Sequence, residues 1–291
     1  LLRQGIATSM GVEALQIPMF GLYGACSTSG EALALAGMSV AAGYGKYMLA
    51  VTSSHFGSAE KEFRFPLGYA NQRPLSAHWT VTGSGAFLVR AAEPAETPVS
   101  DTPASVVSEA STAASNTPAS AVLEASTLAS DTPASAAPGP RTAVPAAPAD
   151  APAEDDVSTT HISHVRIAGV TVGRIVDYGL KDSQNMGACM APAAMDTIIQ
   201  NFEDFGRSEQ DYDRIITGDL GYVGQSILFD LVRGKGYDIR KKHLDCGMTI
   251  FDQETQDTHA GGSGCGCAAV TLASFIIPKI EKGEWKRVLF V

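Results

Sequence analysis

Gly21-Leu22-Tyr23-Gly24-Ala25-Cys26-Ser27-Thr28-Ser29-Gly30 is a glycine-rich turn, followed by small residues that suit a closely packed helix running to about Ala42. An apolar stretch, Pro18 to Tyr23, leads into it, and an apolar strand, Tyr47 to Thr52, follows. The spacing puts the Cys26 thiol at a helix N-terminus, where unpaired backbone N–H groups and the helix dipole favour an anion. Such a position either lowers a thiol's pKa or receives a ligand carboxylate. A cysteine that only fills core space needs no glycines around it, whereas a backbone approached by a ligand does, so the turn reads as a site.

The same order of elements recurs 240 residues later. Gly21, Gly24, Gly43, Lys46, Leu49 and Val51 fall on Gly261, Gly264, Gly283, Lys286, Leu289 and Val291. Each window reads as glycine-rich turn, small-residue helix, glycine stop, basic residue and apolar strand, the second strand being Arg287 to Val291. Upstream, a helix over 8–15 leading to Ile17-Pro18 is matched by a helix from Gly224 to Arg233 leading to Tyr237-Asp238-Ile239. We therefore expect an internally duplicated α/β protein. Asp213 to Thr217 reads as a strand before Gly218-Asp219-Leu220-Gly221, and the first copy begins after its equivalent. The strand ending near Thr52 continues into Ser53-Ser54-His55, while its counterpart stops at Val291. The expectation is a fold truncated at both ends.

Net charge is −10, but residues 91–160 hold ten acidic residues and only Arg141, which leaves 21 acidic and 20 basic residues elsewhere. The folded part is close to neutral, and nothing in it suggests a nucleic-acid or anionic-membrane surface. Within 91–160, Ser100-Asp101-Thr102-Pro103-Ala104-Ser105 returns at 115–120, with Asn116 for the aspartate, and unchanged at 130–135, a period of fifteen residues. Repeats of Ala, Ser, Thr and Pro with so few large apolar groups cannot offset the entropy of ordering. This segment reads as a disordered insertion, either a tether or a tolerated loop, between an N-terminal half (1–90) and the rest of the fold (161–291). Five cysteines, Cys26, Cys189, Cys246, Cys265 and Cys267, are odd in number and lack metal-ligand spacing, which suits a reduced cytosolic compartment. Cys265-Gly266-Cys267 is no zinc signature, and His161 and His164 read as a solvated loop rather than a metal pair. No signal peptide or membrane span is visible.

A cysteine turn entering a buried helix within two such halves resembles the thiolase-like fold of thiolases and ketoacyl-ACP synthases. The resemblance goes further in Gly21 to Ser29, Ser53-Ser54-His55, Phe63-Arg64-Phe65-Pro66, Trp79 to Ala86, Asn185-Met186-Gly187, Met190 to Ala194, Thr217 to Gly221 and Ala260 to Gly264. As a set these blocks are similar to the SpoVAD family, stage V sporulation protein AD, of spore-forming Firmicutes. They cover nearly all of the chain outside the insertion, which is foreign to the family pattern. The resemblance implies α-β-α-β-α layers and non-catalytic binding of dipicolinic acid, free or as its calcium chelate, for uptake into the developing spore. It implies no cofactor, other SpoVA proteins as partners, and a homodimer through a sheet edge. It also implies a place on the cytoplasmic side of the forespore or spore inner membrane, reached only through those partners.

Residue chemistry tests that implication. A condensing enzyme needs a base or oxyanion donors besides its nucleophile, commonly two histidines or a histidine and an asparagine from loops of the second half. Those loops here offer Gly218-Asp219 and Gly262-Ser263. An aspartate raises a nearby thiol's pKa and, while ionised, cannot donate to an oxyanion. His55 either approaches Cys26 or is a hydrogen-bonded histidine at a strand end. We expect a pocket without a reaction. Its donors would be Ser27, Thr28, Ser53, Ser54, Thr80, Thr82, Ser263 and glycine amides such as that of Gly262. Its walls would be Trp79, Phe56 and Met186. Lys61 and Arg64 either pair with a carboxylate or lie on a solvated face. Asp219 either meets calcium or forms an Asx-turn over Gly218 to Gly221. Two other classes stay open: a Cys-dependent acyltransferase using Cys26 with His55, and a structural subunit with a vestigial pocket. The glycines of 261–266 lack the following Lys-Ser/Thr of a nucleotide loop.

Overall fold

A 3-10 turn over Ala25–Ser27 runs straight into helix α1 (Thr28–Ala41) in the computed structural model, which describes residues 9–62, 73–92, 119–125 and 165–291. The chain continues through β1 (Tyr47–Ser54), α2 (Phe56–Glu62), β2 (Trp79–Thr80), β3 (Gly83–Arg90), β4 (Ala119–Ala125) and β5 (Val165–Val172). Then follow α3 (Met186–Phe205), β6 (Arg214–Thr217), α4 (Gly221–Gly234), β7 (His243–Asp245), α5 (Cys246–Thr249) and β8 (Gly262–Ser263). A last helical run joins α6 (Cys265–Thr271), a π turn (Leu272–Ile276) and α7 (Ile277–Glu281), and leads to β9 (Arg287–Phe290).

Glycines stop α1 and α7 in the same way. Gly43 (φ 78°) and Gly283 (φ 72°) take the left-handed conformation, and the next amides, Tyr44 N–H and Glu284 N–H, each reach back 3.0 Å to Ser39 O and Lys279 O. Each stop delivers the chain into an apolar strand, β1 or β9. β1 pairs antiparallel with β3, Tyr47 opposite Arg90 and Ser54 opposite Gly83. β9 lies in a five-stranded sheet of order β5-β4-β9-β6-β7, with β6 parallel to both of its neighbours. β2 and β8 form a short parallel pair.

Strands β6 and β9 are covered on both faces, as apolar runs in parallel strands require. Ile215 and Leu289 pack with Ile198, Phe202, Leu228 and Val232 of α3 and α4. Ile216, Val288 and Phe290 turn the other way, onto Cys267, Leu272, Ile276 and Ile280 of the last helical run. α1 and α6 also pack against the β1–β3 pair. The approach there is close: a Cβ on Gly85 would stand 2.9 Å from the Ala269 carbonyl oxygen. Four layers follow among the described residues: α3 with α4, the five-stranded sheet, α1 with α6, and β1 with β3. The cysteine turn, at the start of α1, thereby faces the C-terminal ends of β6 and β9.

The strand from Tyr47 runs on through Ser54. After α4 the chain passes Tyr237-Asp238-Ile239 as a loop from which Ile239 is buried, and the next strand is β7. One sequence expectation changes. The 91–160 segment contains β4, paired to β5 on one edge and β9 on the other. Main-chain hydrogen bonds ask little of side-chain type, so pairing on both edges overrides a composition poor in strand formers. The remainder of the insertion from 93, the start of the helix over 8–15, the Phe63–Pro66 block with Arg64, and both His161 and His164 lie outside the described residues, as does the Lys61 side chain. No helix among the described residues is long and apolar enough to cross a membrane.

At Gly43 and Gly283 an added Cβ meets nothing within 4 Å, so substitution there tests backbone conformation alone. Gly43→Ala and Gly283→Ala should each lower the unfolding free energy by about 1 kcal/mol in urea titration. A loss several times larger, or none, would contradict the helix-stop reading.

Candidate functional site

The cysteine turn is tied to itself before it meets anything else. The Ser27 hydroxyl donates to Gly24 O (2.6 Å), and the Thr28 hydroxyl donates to Ala25 O (2.8 Å) while accepting from Gly24 N–H (3.0 Å). Ala25 is held at φ 53°, a costly conformation for a residue with a Cβ. Across from it, Cys26 Sγ stands 4.0 Å from Ser263 Oγ. The Ser263 hydroxyl donates to Asp219 Oδ2 (2.8 Å), and Gly264 N–H donates to the same oxygen (2.8 Å). Asp219 is therefore no Asx-turn residue. It clasps the turn after β6 to the glycine turn around β8.

Between these turns and α3 lies a cavity of about 550 Å³. Cys26, Ser27, Met186 and Asp219 line it, as the sequence led us to expect. The remaining expected residues serve elsewhere. Thr28 stays within its own turn. Ser263 is fully buried behind Asp219, and Gly262 packs beneath it against α5. The Ser54 hydroxyl donates to Val81 O (2.7 Å) and accepts from Gly266 N–H (3.0 Å), joining β1 to α6. His55 is exposed, its Nδ1 accepting from Ser58 N–H (3.4 Å) at the end of the strand. Trp79 stacks on Phe56 (centroids 4.6 Å apart) under the Arg73 guanidinium, and Thr80 is buried beside it in β2.

Sequence reading missed Tyr23, Glu31, Thr197 and Thr217 on the cavity wall. One signal was available: Met186, Met190, Ala193, Ala194 and Thr197 recur at helical spacing along one face of α3. Glu31 carried the same signal, since Ser27, Gly30 and Glu31 stand at i, i+3 and i+4 on the face of α1 that lines the cavity.

Three helices begin at this cavity, with Cys26 just ahead of α1, Met186 at the first position of α3 and Leu220 at the N-cap of α4. Their dipoles favour negative charge. The side chains oppose it. No Lys, Arg or His is among the described lining residues, while Glu31 and Asp219 are. Burial holds the Glu31 carboxyl above its ordinary range. The hydroxyls that line the cavity are already spent inward: Ser27, the one expected donor among them, on Gly24 O, Thr197 on Ala193 O (2.9 Å) and Thr217 on Asp245 (2.6 Å). They face the cavity as acceptors. Burial, then the neighbouring Cys26 and Cys265, raises the Tyr23 phenol as well. Burial also pushes the Cys265 thiol up to about 11 and raises the Cys246 and Cys267 thiols well above their ordinary range. No group of three or more His, Cys, Asp or Glu among the described residues is arranged to hold a metal ion.

Behind the wall, Asp245 is fully buried and accepts four hydrogens. Oδ2 receives the Thr217 hydroxyl and Leu220 N–H (2.8 Å); Oδ1 receives Gly221 N–H and Met248 N–H (3.1 Å each). Since Thr217 gives its one proton to Asp245, it accepts from His243 Nε2 (3.0 Å), whose Nδ1 in turn accepts from Gln225 Nε2 (3.0 Å). That chain fixes a neutral His243, consistent with burial pulling its pKa down to about 4.

A family model described as Stage V sporulation protein AD (SpoVAD) matches residues 1–130 and 154–291, omitting only a part of the low-complexity segment. A Stage V sporulation protein AD of Bacillus subtilis (strain 168) is 34% identical over 291 residues, which is 100% of this chain. The chain spans 65% of the length of that relative.

Desolvation raises the Asp245 pKa from 3.8 to about 6, against the opposing hydrogen bonds of Thr217, Leu220 and Gly221. Between these values the folded state keeps a proton that the unfolded chain has lost. This group's contribution is therefore most favourable below about pH 4 and declines by about 3 kcal/mol as pH rises through 6. Urea denaturation at pH 4.5 and pH 7 should show the wild type losing stability relative to Asp245→Asn, which has no such proton to release; parallel pH dependence in the two proteins would refute it.

Proposed function

Because the chain belongs to the SpoVAD family of sporulation proteins, we propose that the cavity beside Cys26 binds dipicolinic acid without chemistry, free or as its calcium chelate, for uptake into the developing spore. The observation that carries this reading is the cavity itself. It holds about 550 Å³, with Met186, Met190, Ala193, Ala194, Ala268 and Phe290 as apolar lining suited to a planar ring, and Ser27, Glu31, Thr197, Thr217 and Asp219 as polar lining.

The charge of the lining favours the chelate. A dipicolinate dianion facing Glu31 and Asp219 with no lining cation gains from the three helix starts but is repelled by the carboxylates. Calcium brought in by the ligand cancels the ligand's charge and prefers the oxygen acceptors that the wall presents. The two cavity carboxylates need not form a metal site of their own, because the chelate supplies most of the oxygens.

Binding rather than turnover is supported by what stands opposite Cys26. Asp219 and Ser263 occupy the place where acyl transfer needs donors, and His55 is exposed at the strand end. One arrangement favours the second reading, a Cys-dependent acyltransferase: the Cys26, Ser263 and Asp219 line could relay the thiol proton. Acyl-CoA treatment followed by mass spectrometry decides it, since acylation at Cys26 supports transfer and its absence supports binding.

The wider reading follows the family. The matching glycine stops and strands 240 residues apart support a thiolase-like, internally duplicated fold. As partners we propose other SpoVA proteins and a second copy of this chain, with membrane association only through those partners, on the cytoplasmic side of the forespore or spore inner membrane.

Calorimetry with dipicolinate, with and without calcium, tests the proposal. The chelate should bind about tenfold more tightly than the free dianion, and Asp219→Asn should narrow that gap. Cys26→Ala should weaken binding of both forms. No heat and no thermal shift at about millimolar ligand would overturn the binding reading and leave a structural subunit with a vestigial pocket.

A further inference from the structure

Thr217, Gly218, Asp219 and Leu220 form the cavity wall opposite Cys26, and almost nothing in that turn is held by regular structure. Gly218 N–H donates to Val291 O (3.1 Å), and the Leu220 carbonyl receives His78 Nε2 (3.1 Å). The Thr217 hydroxyl and the Leu220 and Gly221 amides all converge on one carboxylate, that of Asp245. Gly221 has φ 64°, and its Cβ position is filled by Ala260 O, so only glycine fits where its amide turns to Asp245.

The segment carrying Asp245 also reaches the other turn. Two residues on, Gly247 lies so close to β8 that a Cβ there would collide with Gly262 O. Thus Asp245-Cys246-Gly247 touches both turns that Asp219 and Ser263 clasp together, yet none of the three lines the cavity. A fully buried carboxylate is an expensive way to fill core space, and an apolar residue would stabilise a purely structural turn more cheaply. What only an acceptor with two oxygens can do is gather three donors of one turn and one of the next helix.

We propose that Asp245 is the positioning residue of the ligand cavity: from outside the wall it sets where Asp219 and Ser263 stand opposite Cys26, and so sets ligand affinity. This rests on the cavity being the ligand site. Replacing Asp245 by Asn puts an amide N–H₂ against donors that had an acceptor, which frees the turn without substituting any wall residue.

The test uses the full chain, with hydrogen exchange read by mass spectrometry on the peptide spanning Thr217 to Gln225 and calorimetric titration of dipicolinate and calcium dipicolinate. Asp245→Asn should exchange faster at Leu220 and Gly221, and affinity should fall by about tenfold. Should that variant fail to fold, Thr217→Val and Thr217→Ser decide: Ser, which keeps the hydroxyl, should protect the turn and bind several-fold more tightly than Val. Unchanged exchange at Leu220 and Gly221, equal behaviour of the two Thr217 variants, or wild-type affinity in Asp245→Asn would overturn the proposal. If the wild type binds neither probe, the functional reading fails, and the exchange comparison still decides whether Asp245 holds the turn.

Discussion

A carboxylate taken wholly out of water must find hydrogens to accept, and at Asp245 it finds four. Three come from the turn that follows β6, and that turn carries Asp219. Asp219 in turn binds the Ser263 hydroxyl and Gly264 N–H from the glycine turn ahead of α6. α6 is the helix that separates the two sheets. The demand of one buried group for donors is thus passed through two turns into the middle layer of the fold.

The cavity is a consequence of where three helices start. α1, α3 and α4 each begin beside it, and close glycine contacts let their turns approach one another: a Cβ on Gly187 would lie 2.6 Å from Leu220 O. Helix starts bring positive potential, and the Glu31 and Asp219 carboxylates bring negative charge into the same small volume. A site built this way is poorly suited to a bare anion and well suited to a ligand that carries both signs. The inward-spent hydroxyls sharpen this preference, since they offer lone pairs where a donor-lined pocket would offer protons.

Several features were legible in the sequence because they are local. The small residues after Cys26, the glycine stops at Gly43 and Gly283 and the apolar strands behind them depend on neighbours within one or two turns, and they appear where the pattern put them. The cysteine turn and the Asp219 turn meet as the 240-residue offset suggested. His55, Trp79, Ser54 and Thr80 look equally suitable as residue types, yet they are used up in stacking, strand ends and interlayer ties. β4 was hidden for a different reason, because its pairing is made by main chain that any composition can supply.

By itself the sequence determined the order of turn, helix, stop and strand, and the family to which the chain belongs, since both are written in short-range pattern and residue identity. Tertiary structure decided what the site is made of. Ser263 meets Asp219 across 44 residues and Leu220 meets Asp245 across 25. Whether a hydroxyl donates into a cavity or away from it depends on which carboxylate or carbonyl the fold brings within 3 Å. No local pattern carries that information, because a hydroxyl proton goes to the best acceptor in reach, and reach is set only when the layers close.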